Sequence, residues 1–145
     1  MFVIKLLVSA CLLGVCCRYD QKSAPDPAIL ALAQKHQLVP VCPEQLGGLP
    51  TPRPPAEIRE GRVLTRDGCD VTENYELGAR MALKIARDLG CRAAILKERS
   101  PSCGCGEIYD GSFSGHKVIG NGLTARLLIQ NGIGVIKSGD AASLL

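Results

Sequence analysis

LLVSACLLGVCC, residues Leu6 to Cys17, admits two incompatible readings, and the choice between them decides the fold. Val8-Ser9-Ala10-Cys11 looks like a bacterial lipoprotein cleavage site, with Cys11 as the lipidated terminus. The same letters also suit the first strand of a cytosolic α/β domain, with Cys11 at its tip. A secretory signal places basic residues ahead of an apolar stretch of about 7–15 residues. Here the early cation, Lys5, follows Phe2-Val3-Ile4, and only Leu6 to Ala10 separate it from Cys11. Beyond Cys11 the chain continues as Leu12-Leu13-Gly14-Val15 instead of a polar tether. Residues 2–10, rich in Val, Ile and Leu, therefore read as a buried strand. In the cytosol thiols stay reduced, and several cysteines together serve metal binding or chemistry.

Working outward, Asp26-Pro27 pairs an N-cap with a proline at the first helical position and predicts a helix over 27–36. Gln37 to Val41 reads as a second strand. CPEQLGGLPTPRPP, residues 42–55, is dense in Gly and Pro and predicts a turn-rich or extended segment, not a helix. Arg62 to Thr65, followed by Asp67-Gly68, reads as a small hairpin arm. Asp70 and Glu73 have the spacing of a capping box, and Tyr75, Ala79, Ala82, Ala86 and Leu89 then mark one face of a helix ending at Gly90. Ala93 to Leu96 is a third strand, Glu98 to Gly122 a long loop, Leu123 to Gln130 a helix, and Ile133 to Ile136 a last strand. This alternation predicts an α/β fold, one domain over 1–145. It implies a mostly parallel sheet of about four to five strands with helices on both faces. Ligands in such folds sit outside the carboxyl ends of the strands.

The 145 residues suffice for one compact domain with a real core. An aromatic content of 3%, with no Trp, gives little support to a carbohydrate site or a base-stacking nucleic-acid surface. The net charge of +3 suits a small anionic ligand better than a duplex. No apolar run approaches the ~20 residues that span a bilayer. Eight cysteines, at 11, 16, 17, 42, 69, 91, 103 and 105, would permit a disulfide framework. Against that stand the long periodic apolar segments, which build a core unaided. The absence of any CxxC argues against zinc.

Placed on the strand plan, Cys11 follows strand one, Cys42 follows strand two, and Cys103 lies in the loop leaving strand three. Three cysteines from three parallel strands thus converge on one carboxyl edge. Cys69 and Cys91 fall at the opposite edge or in the arm, and read as small buried hydrophobes. Cys16, Cys17 and Cys105 stay open as spare thiols. Soft sulfur ligands select zinc, copper(I) or iron–sulfur clusters. A cubane held by three cysteines leaves one iron free to act as a Lewis acid. Gly14, Gly47, Gly48, Gly104 and Gly106 would let the backbone approach its sulfides. The ordinary alternative is three strand-end cysteines that merely lie close.

SACLLGVCCRYD (9–20), VCPEQLGGLPTPR (41–53) and LKERSPSCG (96–104) resemble the three signature blocks of the bacterial thiouracil desulfidase family. The resemblance extends over nearly the whole chain. It implies a cytoplasmic enzyme with a [4Fe-4S] cluster on Cys11, Cys42 and Cys103, loaded by iron–sulfur assembly machinery. The substrate it implies is a thiolated pyrimidine: a 2-thiouracil or 4-thiouracil-type base, nucleoside or nucleotide. Sulfur binds the open iron, and oxygen from water replaces it. The family's proton-handling groups fall on Glu44 and Ser100, with Ser102 as the competing serine. Ordinary alternatives exist for each: Glu44 as an exposed loop carboxylate or helix cap, Ser100 as a turn residue before Pro101. Arg18 and Arg53, in the first two blocks, would suit a substrate phosphate or serve as ion-pair partners, Arg18 with Asp20. Two other functions compete: the same chemistry on thiolated tRNA, which the scarce aromatics and mild charge disfavour, and a non-catalytic iron–sulfur or sulfur carrier. A carrier has no need of an acid–base pair such as Glu44 and Ser100.

Overall fold

The computed structural model describes residues 2–145. In chain order its elements are β1 (Lys5–Ser9), α1 (Pro27–Leu32), β2 (Gln37–Val41), α2 (Pro43–Leu46), β3 (Ala56–Arg59) and β4 (Arg62–Thr65). Next come α3 (Thr72–Leu89), β5 (Ala93–Leu96), β6 (Glu107–Tyr109), β7 (Lys117–Ile119), α4 (Leu123–Gln130) and β8 (Gly134–Lys137). Single 3₁₀ segments follow β1 (Ala10–Leu13) and close the chain (Ser138–Leu144).

Four strands form a parallel sheet in the order β2-β1-β5-β8. Successive strand residues point to opposite faces, so each face collects its own core. Leu7, Ala94 and Leu96 meet Ala82 and Ala86 of α3 and Ala125 and Leu128 of α4. Leu6, Val8 and Ile95 meet Ile29 and Leu32 of α1 and Ala141 of the last 3₁₀ segment. Burying a Leu, Ile or Val side chain contributes about 1.5–3 kcal/mol. The alanines of α3 let that helix lie close against the sheet. Pro40 sits in β2, an edge strand, where a missing N–H does least harm. Among the described residues no helix is long and apolar enough to cross a membrane. The parallel α/β plan with helices on both faces is thus as the alternation predicts.

Six local expectations need correction. The first strand ends at Ser9, where the chain enters the 3₁₀ turn that stops at Gly14 in the left-handed region (φ 96°). α1 ends at Leu32 rather than 36, because the next amides bond three residues back and His36 turns to accept the Ile4 N–H at 3.2 Å. The 42–55 segment contains a one-turn helix, α2, started by Pro43 and pressed against α3. A Cβ on Gly47 would overlap the Asn74 carbonyl, and one on Gly78 the Pro43 carbonyl. The arm pairs β4 with the upstream β3 through Glu60-Gly61, both at positive φ, instead of turning at Asp67-Gly68. The Asp70 carboxylate accepts from Thr72 N (2.9 Å) and Arg62 Nε (2.9 Å), so it serves Thr72 and not Glu73. The 98–122 loop, finally, carries the β6–β7 hairpin.

Candidate functional site at the carboxyl edge of the sheet

From β1 the chain moves outward to β2 on one side and later to β5 on the other. The carboxyl ends of β1 and β5 therefore flank the point where strand order reverses, the place where open α/β sheets leave a crevice. A cavity of about 410 Å³ lies there. Cys11, Cys42 and Cys103 all line it, as do Glu44 and Ser100.

Each thiol is presented by a short backbone device. Cys11 sits in the 3₁₀ turn after β1, and Ser9 beside it accepts the Lys97 N–H at 2.9 Å, which ties the ends of β1 and β5 together. Cys42 is the residue before α2, and its thiol donates to the Cys17 carbonyl at 3.7 Å. Ser100 accepts the N–H groups of Ser102 (3.0 Å) and Cys103 (3.1 Å), folding the chain so that Cys103 turns inward. Gly104 completes that turn, since a Cβ there would stand 2.8 Å from the Ser100 carbonyl.

Glu44 is neither an exposed loop carboxylate nor a cap. Its Oε1 accepts from Arg53 Nε at 3.0 Å and from the Tyr75 hydroxyl at 2.8 Å, while its Oε2 accepts from Ser100 Oγ at 3.4 Å. Burial and the adjacent Glu44 carboxylate push the Tyr75 phenol well above its ordinary range, so it remains a donor. Arg53 is buried and makes four hydrogen bonds. Beyond Glu44 it donates to the Pro50 carbonyl (3.1 Å), Thr51 Oγ1 (3.0 Å) and the Cys17 carbonyl (2.8 Å). Of the two readings of Arg53, the ion-pair one is met by Glu44; four of its five N–H donors are engaged, and the side chain lines the cavity. Arg18 lines the cavity and pairs locally with Asp20 at 3.1 Å. Ser102 lies outside the cavity lining, with its buried hydroxyl paired to Thr124 Oγ1 at 2.7 Å.

Cys17 is the residue that sequence reasoning ranked too low. It is buried and lines the cavity, whereas its neighbour Cys16 is exposed. Adjacent cysteines in a turn point in unrelated directions, and no periodicity in the letters separates them. Cys105 is half-buried and outside the lining. Cys91 is buried as read, but Cys69 is exposed, because it stands in the all-exposed turn at the foot of the arm.

The thiols are electrostatically unequal. The Cys17 thiol donates to Cys11 and holds it below the ordinary cysteine range, against burial. Contact with Cys17 and then burial raise Cys42. Burial first pushes Cys103 up to about 12. Among the described residues no three Cys, His, Asp or Glu side chains come close enough to grip a single ion. Cys11, Cys17, Cys42 and Cys103 nevertheless line the same cavity. Soft thiolate donors gathered in one cavity fit a thiophilic metal group.

Fold and site together define an α/β protein with a sulfur-lined cavity at the switch point of a parallel sheet. The sequence profile of the 2-thiouracil desulfurase family matches residues 6–140. The chain is 45% identical to the uncharacterized protein YbbK of Bacillus subtilis (strain 168), over 97% of this chain and 99% of that one. It is also similar to the solved structure of the [4Fe-4S]-dependent thiouracil desulfidase TudS, with a TM-score of 0.87, 43% identity, and 98% and 99% of the two chains covered. The chain belongs to the 2-thiouracil desulfurase family.

Proposed function

We propose that this chain is an iron–sulfur-dependent desulfidase that replaces the sulfur of a thiolated pyrimidine with oxygen, without net redox change. Cys11, Cys42 and Cys103 hold the cluster, and Glu44 and Ser100 handle the protons. The observation that carries this reading is the meeting of three strand-end thiols with a hydrogen-bonded Glu44–Ser100 pair in one cavity. When bound, such a cluster supplies an iron without a protein ligand, a Lewis acid for the thiocarbonyl sulfur.

The chain's own part follows from the geometry of Glu44. Arg53 and Tyr75 occupy Oε1, so Oε2 faces Ser100 and the cavity. Glu44 takes a proton from the water that attacks the thiocarbonyl carbon. Ser100, at Oε2, passes a proton toward the ring nitrogen or the departing sulfur. The sum is thiocarbonyl plus water giving carbonyl plus hydrosulfide and a proton. Ser102, buried beside Thr124 and outside the cavity lining, is assigned no proton transfer. The cavity volume suits a base, nucleoside or nucleotide.

The test is anaerobic reconstitution with iron and sulfide, read by iron content and cluster absorption, followed by incubation with 2-thiouracil. Wild type should load and turn over, Cys11→Ala should fail to load, and Glu44→Gln should load but lose about 10²–10⁴ in kcat. Equal loading of Cys11→Ala, or an undiminished kcat in Glu44→Gln, overturns the assignment. A loaded wild type inert toward thiopyrimidines points to a carrier.

A further inference from the structure

The chain has five aromatic side chains: Phe2, Tyr19, Tyr75, Tyr109 and Phe113. Four of them, all but Phe2, line the one cavity. Tyr75 is accounted for, since its hydroxyl holds Glu44. The others stand at the rim, and Phe113 is the one the fold takes most trouble to place.

Phe113 adopts φ 57°, in the left-handed region that bulky side chains rarely enter. Strain of this kind persists only where the surroundings impose it, and it gathers at ligand clamps. The imposing group is Glu57 of β3, whose Oε1 accepts both the Gly111 N–H (3.0 Å) and the Phe113 N–H (3.1 Å). Gly111, at φ 93°, packs so tightly on the same strand that a Cβ would stand 2.8 Å from Arg59 Cβ and from the Ile58 carbonyl. The Arg66 guanidinium, 5.5 Å from the ring centroid, covers one face of Phe113. An aromatic ring has two faces, and this half-buried one belongs to the cavity wall.

We propose that Phe113, clamped by Glu57 and backed by Arg66, is the stacking platform for the substrate's planar ring and so sets the preference for cyclic thiocarbonyl compounds. This rests on the desulfidase reading and adds a recognition residue to it. Stacking on a ring face needs no hydrogen-bond code, which suits a pyrimidine whose polar edge must point at the thiols and the Glu44–Ser100 pair.

The experiment compares cluster-loaded wild type, Phe113→Ala and Phe113→Tyr, with uracil affinity measured by calorimetry and turnover of 2-thiouracil measured separately. In Phe113→Ala, uracil binding should weaken roughly tenfold or more, the scale of losing one base–aromatic stack. KM for 2-thiouracil should rise in step, while the loss in kcat stays small. Phe113→Tyr should restore both constants to within about threefold, and iron content should match wild type in all three proteins. Equal uracil affinity in wild type and Phe113→Ala, or a loss confined to kcat, overturns the platform. Because uracil binding involves no desulfuration, failure of 2-thiouracil turnover in wild type sinks the desulfidase reading without being mistaken for failure of the platform.

Discussion

The wall of the cavity that carries the thiols grows out of the central sheet, whereas the wall that carries Tyr109, Phe113 and Arg66 hangs on two short hairpins. β1 and β5 have strands on both sides and a core on each face; Leu7, Val8, Ala94 and Ile95 are wholly buried. The β3–β4 arm has four residues per strand and β6–β7 has three, with every residue of β7 exposed. Isolated two-stranded hairpins are marginal in water. They are fastened by side chains, chiefly Val63 and Thr72 at the root of the arm, the buried Ile108 of β6, and Glu57 at the loop. The difference separates two tasks. The groups to which we assign cluster and proton handling are set by the global fold, while the ring to which we assign substrate stacking depends on local bonds that can yield without unfolding the sheet.

Arg53→Ala tests the sheet-side wall hardest. The guanidinium is buried, and its removal leaves the Glu44 carboxylate without its charge partner, the Pro50 carbonyl without its donor, and the Cys17 carbonyl with the Cys42 thiol alone. Breaking a buried ion pair from one side costs about 3–5 kcal/mol. The urea midpoint should fall accordingly, with Arg53→Lys intermediate, because lysine restores charge but not the fork of donors. A stability loss below ~1 kcal/mol would show that this wall does not depend on Arg53 and would collapse the contrast between the walls.

The same contrast governs what could be read from the letters. Val-, Ile- and Leu-rich runs announce buried parallel strands, and an alanine face at helical spacing announces α3, since both signals arise from the global core. Placing Cys11, Cys42 and Cys103 after three strands was enough to bring them to one edge. Tertiary contact decided the rest. α2 exists because Pro43 starts a turn that glycines allow to lie on α3, and Gly- and Pro-rich composition looks the same whether or not a helix backs it. The letters left Arg53 open between a phosphate and an ion-pair partner, and only the fold names Glu44 and three further acceptors. The scarcity of aromatic residues, which spoke against base stacking, concealed that nearly all of them gather in one cavity.

At the root of the arm, Thr72 is buried and accepts the Val63 N–H at 2.8 Å, joining β4 to the start of α3. Thr72→Val keeps the shape but strands that amide, at a cost of about 1–3 kcal/mol. Thr72→Ser should recover most of it. Hydrogen exchange should locate the loss, with the Val63 amide losing protection far more than amides of β1 or β5. Uniform loss across the sheet would mean that arm and sheet open as one unit, against the division drawn here.

The smallest effect on stability is expected at the tip. Glu57→Ala removes the single acceptor of the Gly111 and Phe113 N–H groups. Both bonds are part-buried and sit in a surface loop that can shift to admit water, so global stability should drop by about 1 kcal/mol, while exchange at 111–113 accelerates. Relieved of its clamp, Phe113 is free to leave the left-handed conformation, and the ring loses its fixed orientation over the cavity. Iron uptake, which we assign to the thiols on the sheet side, should be untouched. Loss of iron uptake in Glu57→Ala would show that the hairpins support the thiols as well as the ring site, and that the two walls are one structure after all.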